Sequence, residues 1–155
     1  LAALIETTVL PEIPIAGATA DLVLTVAIVA TLMFGAEDGI IAAFAGGLMV
    51  DLLIPGRPLG AATVSLLLVI GVAALVARLL GSNRRWAAVM LTILLTGLYH
   101  IVLSLVLVLT EGAPLDIQPA TVLVAAFMNG IVAFLLAPVF GAIEHRFGSV
   151  DRTEW

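Results

Sequence analysis

Long apolar blocks run through this chain, and the breaks between them are short and built from glycine, proline and charge. A helix crosses the hydrocarbon core of a bilayer with about 20 apolar residues. On that yardstick the pattern predicts helical spans over 1–10, 21–34, 40–54, 59–80, 86–110 and 117–143. The first is half a span at about 1.5 Å per residue, and reads as the tail of a truncated helix. The second and third are short. The connections at 35–39, 81–85 and 111–116 leave no room for an extramembrane domain, and loops this brief force neighbouring helices to run antiparallel. The expectation is an all-α integral membrane protein, a single domain folded as a compact bundle of six transmembrane helices.

Composition strengthens that reading. Of 155 residues, 63% are hydrophobic and only 11% charged, against about 25% charged in a soluble domain. Mean hydropathy is +1.27. With no cysteine, neither a disulfide framework nor a thiolate metal site can form. No basic n-region precedes Leu1, so no cleavable signal peptide is expected.

Charge sets orientation. Lysine is absent, and the basic residues are Arg57, Arg78, Arg84, Arg85, Arg146 and Arg152. Too few and too scattered to form a basic stripe, they argue against nucleic acid. With the N-terminus inside, all but Arg57 fall on the cytoplasmic side, which is the bias the positive-inside rule requires. N-in, C-in is therefore expected. The outer side then collects Glu6, Glu12, Asp21, Asp51, Glu111 and Asp116.

Membrane helices associate through close backbone approach at small residues. Span three offers Ala42 with Gly46 and Ala43 with Gly47, each pair four apart. Span four offers Gly71, Ala73, Ala74 and Ala77, and span six Ala125, Ala126 and Gly130. The leucine-rich fifth span reads as the more lipid-facing.

An ionisable or amide side chain within such spans needs a partner. Asp21 opens span two and reads as a structural polar residue, its N-cap or a member of a polar cluster on the outer face. Asp51 sits at the C-terminal end of span three, where its own helix dipole disfavours an anion, so capping does not explain it. Either it pins the following loop through Arg57, or it meets a partner protein or polar ligand. His100 and Asn129 lie mid-span and read as structural polar groups bonding neighbouring helices. His145 marks the inner interface, and Pro138 should bend or loosen span six. Two histidines 45 residues apart, without a carboxylate at helical spacing to His100, make no metal site. No nucleophile elbow, Walker loop, GxGxxG or HExxH is present, and Ser65 and Ser104 have no base nearby in sequence. Neither catalysis nor a cofactor is expected.

Certain residues resemble a known pattern in their order and spacing. Thr7-Thr8-Val9-Leu10-Pro11, then Asp21-Leu22, then the Gly/Ala-rich 39–60 segment with Gly47-Leu48, Asp51-Leu52 and Pro58-Leu59-Gly60, and finally Asn129 with Pro138 and a basic tail, resemble the MreD family of the bacterial rod-shape system. Ala20 stands where that family commonly has proline. The resemblance implies a six-helix fold akin to the substrate-binding S-components of energy-coupling-factor vitamin transporters. It also implies a scaffold in the cytoplasmic membrane that binds MreC, a single-span protein, and through it supports the RodA glycosyltransferase and its transpeptidase in peptidoglycan synthesis. It assigns a partner-facing role to Asp51, Arg57, Pro58 and Gly60. The competing reading is a substrate-binding subunit of a vitamin-type transporter. Such pockets need aromatic walls, and six Phe, two Trp and one Tyr are few, with Trp86 and Trp155 both assigned to the inner side.

Overall fold

The computed structural model describes residues 1–8, 20–79, 84–112, 114 and 117–147, with backbone alone for 84–85 and 144–147. Pro11, Glu12, Asp116, Arg152 and Trp155 lie outside the described residues. Every regular element among the described residues is a helix: α1 (Ala2–Thr8), α2 (Leu22–Met33), α3 (Ala36–Leu53), α4 (Ala61–Leu79), α5 (Arg84–Glu111) and α6 (Pro119–Phe147).

α2 is the axis of the bundle. It is apolar all round, and ten of its twelve residues are buried, from Val23 through Met33 with Val26 half-exposed. A helix without a polar face has to be enclosed, and the other five helices all pack on α2. Around it α3 lies between α1 and α4, and α5 between α4 and α6. The core follows α2: Leu24, Ile28 and Val29 meet Leu66, Val69 and Ile70 of α4, Leu91 and Leu95 of α5, and Ala133 of α6.

α4, Trp86–Glu111 and Pro119–Ile143 are long and apolar enough to cross a membrane. Leu94, Leu105, Leu109, Leu123 and Phe127 form part of an exposed apolar surface on them. The leucines of α5 divide between lipid and protein, since Leu91 and Leu95 belong to the core. α2 has 12 residues, about 18 Å of helix, well short of the roughly 30 Å hydrocarbon thickness.

One local expectation needs correction. Residues 35–39 are not a loop: α3 already begins at Ala36. Its first turn carries Glu37 and Asp38, where the positive end of the helix favours carboxylates. Gly39 lies against Thr31, so that a Cβ there would collide with it, and α2 and α3 close at once after Gly35. α6 contains Pro138 within its length, a position where a helix bends or loosens without having to end.

Small residues act where the helices touch. Ala43 is fully buried, and Ala42 packs against the core. A Cβ on Gly46 would strike the side chain of Val23. A Cβ on Gly47 would stand 2.7 Å from the Cα of Thr63, so α3 and the first turn of α4 meet backbone to backbone. Gly130 does the same service for α6 against Ile93. Gly71, by contrast, faces open space.

Candidate functional site

α4 begins with an unusual requirement. The residue preceding it, Gly60, has φ +99°, a conformation glycine adopts without the Cβ clash other residues suffer. Yet glycine has no side-chain oxygen with which to cap the helix. Asp51 supplies it from α3. Its Oδ1 accepts the N–H of Ala62 at 2.8 Å, and its Oδ2 accepts the N–H groups of Gly60 and Thr63, both at 3.0 Å, and the Thr63 hydroxyl at 2.7 Å. The N–H of Ala61 goes to the carbonyl of Pro58, and that of Val64 to the carbonyl of Gly60. All four donors at the start of α4, which a helix leaves orphaned, are thereby satisfied.

Asp51 is 2% exposed. Capping does explain it, against the sequence expectation, but the helix capped is the next one. Antiparallel packing brings the positive end of α4 beside the negative end of α3, and the hydrogen bonds outweigh the unfavourable dipole of Asp51's own helix. Nor does Arg57 pin Asp51: the contact of this kind found among the described residues is between Asp21 and His100, an ion pair only when the imidazole is protonated. Arg57 instead acts electrostatically on Glu6 and Asp21. The 54–60 loop joins α3 to α4. Pro55, Gly56 and Leu59 are its exposed positions, with Leu52 exposed at the end of α3, while Arg57, Pro58 and Gly60 are half-buried.

The same device recurs at α2. Asp21 occupies the N-cap position but makes no side-chain cap bond. Glu6 of α1 caps in its place, its Oε2 accepting the N–H of Val23 at 2.8 Å. Sequence reasoning placed Glu6 on the outer face without giving it a role. The usable signal was an acid at the end of one apolar helix, upstream of the start of another.

Asp21 is left free to bond across the bundle. Its N–H donates to Asn129 Oδ1 at 2.7 Å, and Asn129 Nδ2 donates to Asp21 Oδ2 and to Thr96 Oγ1, both at 3.1 Å. His100 Nε2 stands 3.9 Å from Asp21 Oδ2, while its Nδ1 bonds the Thr96 carbonyl at 2.9 Å. Asp21, His100 and Asn129 therefore come together, tying α2 to α5 and α6. The cause is the shortness of α2. Asn129 lies ten residues beyond Pro119, about 15 Å along α6, so α2 starts at the level of the middle of α6. Backbone donors at that depth must find protein partners.

Among the described residues no group of three or more His, Asp or Glu could hold a metal ion. The buried polar side chains are hydrogen-bonded to one another, to helix ends or to carbonyls of their own helices, and a buried hydroxyl on Thr92 is the one left without a partner among those described. Ser65 is bonded to the carbonyl of Ala61.

An enclosed central helix, apolar outer faces and polar groups committed to joining helices define a polytopic helical membrane protein. The family model described as rod shape-determining protein MreD matches residues 1–145. The chain belongs to the MreD family, and its role lies in determining rod shape. Neither the curated proteins nor the solved structures give a match.

Proposed function

We propose that this protein is a non-catalytic scaffold of the cell-elongation complex in the cytoplasmic membrane, with both termini inside. On this reading it binds MreC and so supports peptidoglycan synthesis by the RodA glycosyltransferase and its transpeptidase. The observation that carries the proposal is the family match over residues 1–145. The commitment of Glu6, Asp21, Asp51 and Asn129 to bonds between helices supports it, because it leaves few polar groups for chemistry or for a polar ligand.

The docking site we assign is the 52–60 segment, the end of α3 with the loop that follows it. Asp51 and Gly60 shape it from within, Arg57 and Pro58 hold its middle, and Leu52 and Leu59, 61% and 72% exposed, present an apolar surface to the partner. Asp51 itself, buried and fully bonded, acts by positioning. A tagged chain extracted in detergent should recover MreC. Leu59→Ser should weaken recovery while leaving the melting temperature unchanged, and Asp51→Ala should lower both. Failure of the wild type to retain MreC, or undiminished recovery by Leu59→Ser, would refute the assignment.

A further inference from the structure

A groove opens between α5 and α6 at the opposite end of the bundle from Asp51. It encloses about 340 Å³ and is lined by Trp86, Val89, Phe134, Leu135, Ala137 and Pro138. Val89 and Ala137 form a buried floor, while Trp86, Phe134 and Leu135 are exposed. The Trp86 and Phe134 rings stand 6.0 Å apart at 42°. Tryptophan favours the boundary between hydrocarbon and headgroups, so this groove begins at a membrane surface. Pro138 has no N–H for the carbonyl of Phe134, so the α6 hydrogen-bond ladder is interrupted where the helix lines the groove.

Basic residues outnumber acids in the sequence at this end of the helix pair. α5 opens with Arg84 and Arg85, immediately before Trp86, and its first turn holds no acid. The last turn of α6 contains Arg146 and one acid, Glu144. The N-terminus of a long helix also attracts anions through its free N–H groups and dipole. Basic pockets between transmembrane helices on the cytoplasmic side take acidic lipid headgroups.

We infer that this groove is a binding site for an anionic phospholipid, one acyl chain lying between Trp86 and Phe134 and the phosphate at the start of α5. Bound there, the lipid fills the apolar space between α5 and α6 and fixes the helix pair against the surface of the membrane. The inference does not depend on the partner proposed above.

Native mass spectrometry of the full chain, released from micelles containing equal phosphatidylglycerol and phosphatidylcholine, tests it. The wild type should retain phosphatidylglycerol preferentially, by roughly fivefold for each arginine engaged. Arg84→Gln with Arg85→Gln should bring the two lipids to parity, whereas Arg78→Gln, outside the groove, should keep the preference. Phe134→Ala should lower retention of both lipids. Equal retention by the wild type, an unchanged preference in the double variant, or an equal loss with Arg78→Gln overturns the site. Circular dichroism confirms that each variant stays helical.

Discussion

Asp51 takes two hydrogen bonds from Thr63, one from its backbone N–H at 3.0 Å and one from its hydroxyl at 2.7 Å. Gly47, one turn earlier on α3, lies against the same residue, with only 2.7 Å to the Thr63 Cα from where a Cβ would stand. The two positions work together. The missing side chain lets α4 approach, and the carboxylate then reaches the helix end that the approach has brought near.

Asp51→Ala should therefore lower stability in detergent by about 2 kcal/mol or more, since buried donors lose their acceptor. A double-mutant cycle with Thr63→Ala should show coupling, because the pair is in contact. The cycle with Arg57→Ala should be additive within about 0.5 kcal/mol. Strong coupling to Arg57 would restore the loop-pinning reading of Asp51.

Gly47→Ala should cost about 1–3 kcal/mol, because the added methyl meets backbone that cannot swing aside. Gly71→Ala, with nothing within 4 Å of its Cβ position, should be neutral. Melting temperatures of the two variants measured side by side decide this, and equal losses would contradict the close α3–α4 approach.

Glu6→Gln should be tolerated better than Glu6→Ala. Glutamine keeps an oxygen for the Val23 N–H, which Glu6 accepts at 2.8 Å, whereas alanine leaves that donor unpaired at a cost of about 1–3 kcal/mol. Thermal unfolding of both variants gives the comparison, and identical losses would show that the charge rather than the hydrogen bond matters.

Asn129→Leu should expose the start of α2 to opening. It removes the acceptor of the Asp21 N–H and the bridge to Thr96, so amide hydrogen exchange at Asp21 should quicken while exchange in the middle of α4 stays slow. Interhelical polar pairs in membranes contribute about 0.6–2 kcal/mol, so the stability loss should fall in that range. Unchanged exchange at Asp21 would remove Asn129 from the capping arrangement.

The block lengths of apolar residues were enough to read an all-helical membrane protein, because a bilayer imposes both the length and the composition of what crosses it. Small residues four apart marked the contact face of α3, since Gly46 and Gly47 have no other use in a helix. The order of Asp51-Leu52 and Pro58-Leu59-Gly60 pointed to the family. What the sequence did not decide is who bonds whom. A linear reading favours near neighbours, so it offers Asp51 either Arg57, six residues away, or a partner outside the chain, and Asp21 either its own helix or an outer-face polar cluster. Asp21 in fact meets Asn129, 108 residues distant. Helical periodicity fixes the face on which a residue lies but not the depth at which one helix starts relative to another. That offset, set by how far the short α2 sinks between α5 and α6, determines which buried donors and acceptors come level, and only the packed bundle contains it.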